Sequence, residues 1–464
     1  MFFNSLNYIF FLSISVFLIY FFPNRFKWLV ILLFSSFYYY SLPSSNIILF
    51  VSLIIFNYLS CFIVKKQIGV KTKLFLTSVI VMLNIAVLFL FKFFASPIIP
   101  YPLGLSYLVL PLIAYDIEVY RNNSAVNTNF GIFLTAGLFF PKVAQGPIEK
   151  PAGLFSQLKL PDKINSENIY IGIKFIIWGL FKKLVIADRL AIYTNVVFSD
   201  VHQYNGKTYL LALFLYTIQI YTDFSGYTDI ALGSAKMFGI NLIQNFNRPY
   251  FLFSLREFWN RWHISLSLFL RDYVFLPVSY KLTKIFKGKK LKLVYFISTF
   301  ITFSLCGLWH GIEINYLVWG IFWSIVISLS LFTKKIRGKL SYRTGLSKHK
   351  TLRRSFQIAF SFIVINFSWL LFRLSLNDAF TVAVNIFTKP GSLFIEGGKK
   401  GFFYAGFGII ILLLFEFLQE TRLKKSEIPE YDNSFKEILS YVFLVIIILV
   451  IGVLDGSQFI YFKF

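Results

Sequence analysis

Apolar runs long enough to cross a lipid bilayer dominate this chain. Its 464 residues are 57% hydrophobic, and many runs approach the roughly 20 residues that a membrane-spanning helix needs. Because an open strand cannot satisfy its backbone in lipid, these runs predict helices and an all-α polytopic membrane protein. The predicted spans are residues 6–22, 26–40, 46–64, 74–94, 101–120, 208–221, 294–309, 312–332, 356–374, 401–418 and 441–453.

Positive charge is concentrated in the short connections between these runs. The 46 Lys and Arg residues outnumber the 21 Asp and Glu residues, which gives a net charge of +25. In a soluble protein this excess would suggest nucleic acid, but basic clusters such as 281–292 and 334–354 are typical of cytoplasmic loops between membrane helices. We therefore expect a lipid bilayer and no nucleic acid as partner, with the N-terminus outside the cytoplasm.

Two segments interrupt the series of plain spans. Residues 130–147 are apolar but hold closely spaced prolines and a glycine, which favours a re-entrant segment over a complete span. Residues 168–198 form a helical pattern with a basic centre at Lys182, Lys183 and Arg189. We interpret this second segment as an interfacial helix whose basic side chains reach the cytosolic surface.

A polar, glycine-bearing stretch follows the span at 208–221. It contains Asp223, Ser225, Gly226, Asp229 and Gly233 within membrane-like sequence. The glycines are typical of close helix approach, and the aspartates are suited to capping a helix or pairing with nearby arginines. The alternative interpretation is a broken helix beside a polar site.

Residues 254–277 carry the highest density of ionisable groups in apolar surroundings. As one helix, this block would align a polar stripe in steps of four, three, four and four: Arg256, Asn260, His263, Ser267 and Arg271. Ionisable groups at membrane depth indicate a functional cavity. An interfacial helix whose arginines touch lipid headgroups is the alternative.

Of the four histidines, His263 and His310 lie in apolar sequence, and each follows a tryptophan. Histidine exchanges protons near neutral pH, as a general base must. His310 joins two apolar runs that leave the cytoplasm and return to it, so we place it away from the inner surface. No third histidine or clustered cysteine completes a metal site at the usual spacing, so we predict no bound metal.

Several motifs resemble those of the membrane-bound O-acyltransferase family, in its alginate O-acetylase branch, which is related to the D-alanyl transferases of teichoic acid. They are PLGLSY at 102–107, YDIEVYR at 115–121, FFPKVAQGPI at 139–148, YTDFSGYTDIALG at 221–233, the block at 245–277, GLWHG at 307–311 and FIYFKF at 459–464. The resemblance runs nearly end to end. It implies one membrane domain over residues 1–464 with its core motifs at about 101–333.

The resemblance also implies a ring of about 11 transmembrane helices, with re-entrant or interfacial helices, around a central catalytic funnel. His310 matches the catalytic histidine of the family and His263 its second histidine, while Tyr461 matches a tyrosine suspected to relay the acyl group. The implied substrate contacts are Arg256, Asn260, Arg271, Trp309, Asp223 and Ser225. The implied partners are an acetyl-CoA or carrier-protein thioester, an SGNH-type membrane-anchored acyltransferase and a polysaccharide acceptor.

These features together predict an O-acyltransferase, with acetyl as the expected group, in the cytoplasmic membrane of a bacterium. The enzyme would move an acyl group from a cytosolic thioester across the membrane to an alginate-like polymer, peptidoglycan or a similar polysaccharide. D-alanyl transfer to teichoic acid is an alternative within the same chemistry. A transporter or flippase without acyl chemistry, or a non-catalytic scaffold, are alternatives outside it.

Overall fold

A computed structural model of the chain describes residues 3–42, 46–65, 69–95, 100–121, 129–143, 146–159, 165–252, 254–395, 398–422 and 434–454. Within these ranges the regular structure is helical and includes no β-strand, which confirms the all-α prediction. The organisation of residues 1–464 as one domain stays a prediction.

The helices follow one another along the chain. In chain order they are α1 (Leu6–Tyr20), α2 (Lys27–Tyr40), α3 (Ile47–Lys65), α4 (Val70–Phe93), α5 (Leu105–Arg121), α6 (Phe130–Leu138), α7 (Phe140–Val143), α8 (Pro151–Lys159), α9 (Ser166–Leu180), α10 (Asp188–Ser199), α11 (Gly206–Met237), α12 (Leu255–Arg261), α13 (Ile264–Leu270), α14 (Leu276–Ile285), α15 (Leu291–His310), α16 (Ile314–Phe332), α17 (Lys334–Arg343), α18 (Lys350–Arg373), α19 (Leu376–Thr388), α20 (Gly398–Arg422) and α21 (Phe435–Ile451).

Six described helices are long and apolar enough to cross a membrane by length and composition, namely α3, α4, α15, α16, α18 and most of α20. Their outer faces leave large apolar side chains exposed, for example Ile48 at 77% and Phe75 at 65%. Such exposure suits contact with lipid rather than water. The chain is therefore a multi-pass membrane protein. The other predicted spans correspond to helices that are shorter, such as α5, or richer in polar residues, such as α11.

The segment between α5 and α8 is broken, as its prolines predict. Helix α6 has nine residues and α7 has four. Helices that rise about 1.5 Å per residue are then too short to cross a hydrocarbon core of about 30 Å. The broken geometry is confirmed, while the re-entrant placement in the bilayer stays a prediction.

Helix α9, a π-helical segment at Phe181–Ala187 and α10 pack against α11 in the interior. The Nζ atom of Lys182 lies 2.6 Å from an Asp229 carboxylate oxygen. The Nζ atom of Lys183 lies 2.6 Å from Asp188 and 2.7 Å from Asp223. The predicted surface helix is therefore wrong, because the two lysines neutralise buried carboxylates instead of reaching headgroups. Arg189 is half-buried and donates to the carbonyl of Ile451.

Helix α11 continues without interruption through the polar stretch, over 32 residues. The alternative of a broken helix is therefore wrong. The prediction of close helix approach is confirmed, because a Cβ atom added at Gly226 would lie 2.8 Å from the carbonyl oxygen of Gly179 on α9. An added Cβ at Gly233 would lie 2.4 Å from the carbonyl oxygen of Gly172. The ion pairs seen for the aspartates of α11 among the described residues are with lysines of the neighbouring segment.

Helices α15 and α16 form a tight antiparallel pair. A Cβ atom added at Gly307 would lie 2.1 Å from the carbonyl oxygen of Tyr316, and one at Gly320 would lie 2.1 Å from that of Phe303. Backbones this close leave no room for a side chain at either position. The pairing holds the end of α15, and with it His310, against the start of α16.

Candidate active site

The predicted polar helix over residues 254–277 is broken at its centre. Helix α12 ends at Arg261 and α13 begins at Ile264, with His263 between them at φ 43° and ψ 54°. This left-handed conformation costs roughly 1–2 kcal/mol for a residue other than glycine. Backbone strain of this kind is concentrated at functional sites.

Asn245 holds the strained backbone around His263 in place. Its main-chain carbonyl accepts from the Ile264 amide at 2.9 Å, and its side-chain oxygen accepts from the Ser265 amide at 3.1 Å. Asn245 is fully buried, so these bonds are shielded from water. Two bonds from one residue therefore fix both residues that follow His263.

The break corrects the prediction of one continuous polar stripe. Arg256 and Asn260 lie exposed on α12, whereas Arg271 begins the π-helical segment Arg271–Phe275 beyond α13. Arg271 is also exposed, and its guanidinium lies 2.9 Å from the carboxylate of Asp272. The substrate-binding roles given to Arg256, Asn260 and Arg271 stay predictions.

His310 lies at the end of α15 and is buried, with 7% of its surface exposed. Its imidazole packs edge-on against two aromatic rings, at 5.4 Å from Trp319 and 5.0 Å from Phe372 between ring centroids. These neighbours come from α16 and α18, so three helices hold the ring. His263 is also buried, and its ring lies edge-on to Phe224 of α11 at 4.9 Å.

Trp309 brings the two histidines together. The centroid of its indole lies 6.0 Å from the His263 ring and 4.8 Å from the His310 ring. Tyr107 of α5 contacts the same indole at 6.1 Å. Two histidines that are 47 positions apart in sequence therefore share one aromatic neighbour, while their catalytic roles stay predictions.

Polar atoms at this centre lack partners within the described residues. Neither ring nitrogen of His263 has a hydrogen bond, and the same holds for the indole nitrogen of Trp309. Buried polar groups are normally satisfied, so these atoms are candidates for contact with a polar ligand. Imidazole nitrogens can accept a proton from a hydroxyl, and an indole N–H can donate to a carbonyl oxygen.

The remaining predicted residues fall into two groups. Asp223 is committed to Lys183, as described above, and the neighbouring Ser225 is buried with an Oγ that has no partner among the described residues. Tyr461 lies outside the described residues. In the part of the chain that the structure describes, no three candidate metal ligands lie together.

Sequence reasoning missed Lys92 and Asn245. Lys92 occupies the last turn of α4 and donates to the main-chain carbonyl of Trp309. It lies in the apolar run at 74–94, so an ionisable side chain in that run was a usable signal. Asn245 gave no local signal, because its role depends on residues almost twenty positions later.

Fold and site together define a multi-pass, all-α membrane protein with a buried histidine pair. Residues 89–377 match the family described as MBOAT, membrane-bound O-acyltransferase family, and they include both histidines. The match covers more than half of the chain, so the chain belongs to the membrane-bound O-acyltransferase family.

Three relatives illustrate the range of this family. The chain is 33% identical over 276 residues to the Probable alginate O-acetylase AlgI of Pseudomonas fluorescens, across 59% of this chain and 51% of that protein. It is 30% identical over 299 residues to the peptidoglycan O-acetyltransferase of Helicobacter pylori, across 59% and 54%. It is 30% identical over 232 residues to the teichoic acid D-alanyltransferase of Bacillus subtilis, across 50% and 58%. The matches thus span about half the length of these relatives.

Proposed function

We propose that the protein is an O-acyltransferase that moves an acetyl group from a cytosolic thioester to a hydroxyl across the membrane. The observation that carries this proposal is that the buried side chains of His263 and His310 both contact Trp309, in a chain of this family. Acyl transfer to a hydroxyl requires a base that removes its proton and a group that stabilises the tetrahedral oxyanion. A buried histidine pair supplies at least the first of these.

In the proposed reaction, His310 is the general base. Its imidazole takes the proton from the acceptor hydroxyl while the hydroxyl oxygen attacks the thioester carbonyl carbon. The carbon–sulfur bond then breaks, and the imidazolium returns the proton to the leaving thiolate. His263, held by Asn245, orients the acyl group or assists the proton transfer. Trp309 places both rings at one reaction centre and offers its indole N–H to the substrate.

The acceptor and the partners belong to the proposal too. The relatives are named for alginate, peptidoglycan and teichoic acid, so we propose a cell-envelope or exported polysaccharide as the final acceptor. Acetyl-CoA is the proposed donor, the bacterial cytoplasmic membrane the proposed location, and an SGNH-type membrane-anchored acyltransferase the proposed next carrier. Tyr461 is the proposed hydroxyl that receives the acetyl group first.

The test uses full-length protein in nanodiscs with acetyl-CoA labelled in the acetyl group. Thioester cleavage and label retained on the protein are measured for wild type, His310→Ala and Tyr461→Phe. His349→Ala is the matched control, because this histidine is exposed at the start of α18. We expect the wild type and the control to cleave the thioester and His310→Ala to lose cleavage.

The outcomes separate the competing functions. Label retained by wild type and lost in Tyr461→Phe supports the tyrosyl relay, whereas normal labelling of Tyr461→Phe removes it. D-alanyl transfer is tested by offering a D-alanyl carrier-protein thioester to the same four proteins. If wild type cleaves neither thioester, even with an SGNH-type partner present, acyl transfer is refuted and a transporter without acyl chemistry becomes the better explanation.

A further inference from the structure

Lys92 places an ammonium group beside the proposed reaction centre. It lies in the last turn of α4, and its Nζ donates to the carbonyl of Trp309, the residue before His310. The same Nζ atom lies 5.8 Å from the centroid of the Trp309 indole and 6.0 Å from that of the Tyr101 ring. Lys92 also acts electrostatically on His310. The ammonium therefore belongs to the same group of side chains as the histidine pair.

No carboxylate accounts for this charge. Among the described residues Lys92 forms no ion pair, and neither does the buried Lys27, whereas Lys182 and Lys183 each contact an aspartate. Lys92 differs from Lys27 in lying beside Trp309 and His310. A charged side chain at membrane depth is costly, and a structural lysine normally faces an acid. An ammonium has three N–H donors, and the carbonyl of Trp309 is the one acceptor that the described structure gives it. Two donors thus remain for a ligand.

We propose that Lys92 is a catalytic residue that stabilises the oxyanion of the acyl-transfer intermediate. This inference rests on the proposed function above. When the acceptor oxygen attacks, the carbonyl π electrons move to the carbonyl oxygen, which becomes negatively charged next to the Lys92 ammonium. The oxygen's electron pair re-forms the carbonyl as the carbon–sulfur bond breaks, and the negative charge leaves on the thiolate sulfur. Lys92 therefore neither gains nor loses a proton. His310 and Lys92 then supply the base and the electrophile from α15 and α4.

The competing explanation is that Lys92 only anchors the Trp309 carbonyl. The variant Lys92→Gln separates the two roles, because an amide can still donate to that carbonyl but carries no positive charge. Lys92→Arg keeps both the charge and the donors. Lys27→Gln is the matched control, since Lys27 is a buried lysine at the start of α2, outside the group described here.

The experiment measures kcat and KM for acetyl-CoA cleavage in nanodiscs, together with the thermal unfolding midpoint of each variant. For Lys92→Gln we expect kcat to fall by about 100-fold to 1,000-fold, the range seen on loss of one oxyanion donor, with little change in KM or in the unfolding midpoint. Lys92→Arg should keep most of the activity, and Lys27→Gln should match wild type.

A second substrate distinguishes the two roles, because a lysine that only anchors the Trp309 carbonyl would lower kcat equally for both thioesters. Fluoroacetyl-CoA has a more electron-poor carbonyl, whose oxyanion needs less help from the protein. The ratio of wild-type to Lys92→Gln kcat should therefore be smaller with fluoroacetyl-CoA than with acetyl-CoA.

Each remaining outcome overturns the inference. Equal ratios for the two thioesters, or a wild-type kcat in Lys92→Gln, would refute the oxyanion role while leaving the proposed enzyme intact. A fall in unfolding midpoint that accounts for the lost activity would assign Lys92 to anchoring. If wild type cleaves no thioester at all, the proposed function fails and the inference fails with it.

Discussion

The ion cluster around Lys183 gives the sharpest stability prediction. Its ammonium is fully buried and lies 2.6 Å from Asp188 and 2.7 Å from Asp223, whose side chains are each 2% exposed. The substitution Lys183→Met keeps roughly the volume of the side chain but removes the ammonium that both carboxylates contact. Removing one partner of a buried ion pair typically costs about 3–5 kcal/mol, and two stranded carboxylates favour the upper end of that range.

The free energy of unfolding is measured by titrating denaturing detergent into mixed micelles that contain the protein. The matched control is Lys150→Met, because Lys150 pairs with Asp272 at 2.7 Å while its side chain is 57% exposed. Exposed pairs contribute about 0–1 kcal/mol, so this control should change the free energy of unfolding very little. Equal destabilisation by Lys183→Met and Lys150→Met would refute the reasoning.

Further predictions concern helix contact and the strained histidine. Gly233→Val should lower the unfolding midpoint strongly, since its side chain would meet the Gly172 carbonyl, whereas Gly338→Val should be tolerated because nothing lies near that glycine. Equal midpoints would contradict the close contact of α9 and α11. Asn245→Ala should reduce kcat by at least about 10-fold with KM nearly unchanged, because the turn at His263 loses the side-chain bond to the Ser265 amide. A wild-type kcat in that variant would show that Asn245 does not position His263.

Local sequence was sufficient for the class of fold. Apolar runs of bilayer length predicted the helices, and the two tryptophan–histidine pairs in apolar sequence predicted candidate residues that the fold brings to one tryptophan. Both signals are short-range, because the length and composition of one segment decide whether it suits lipid. The contact of His263 with Trp309 could not be read from local sequence, because it joins the turn between α12 and α13 to α15.

The break at His263 shows where local pattern stops being informative. Residues 254–277 hold no glycine or internal proline that would mark a break, and their periodicity fits one helix. The break is stabilised instead by Asn245, which bonds to Ile264 and Ser265. A tertiary contact of this kind overrides helix propensity, which is worth only fractions of a kcal/mol per residue.

The buried lysines show that local sequence also fails to predict where a charged residue lies. Lys182 and Lys183 were assigned to the surface because an isolated lysine is costly in an apolar interior. The cost falls once carboxylates are supplied. Asp188 is near in sequence, but Asp223 and Asp229 come from α11, about forty residues further along the chain. The π-helical turn at Phe181–Ala187 accompanies this arrangement, in which both adjacent lysines pair with aspartates of α11. The two aspartates of α11 are therefore brought in by the fold.

Asp223 now has two competing roles that one experiment can separate. The family resemblance predicts that Asp223 contacts the substrate, whereas the ion pair of Asp223 with Lys183 indicates that it stabilises the fold. Asp223→Asn leaves Lys183 paired with Asp188, so the folded yield should fall only modestly. If the role is structural, activity per folded molecule stays at the wild-type level in Asp223→Asn, and combining Lys183→Met with Asp188→Asn and Asp223→Asn restores the stability lost in Lys183→Met. If Asp223 binds substrate, KM rises in Asp223→Asn at unchanged stability, and the charge-neutral triple variant stays impaired.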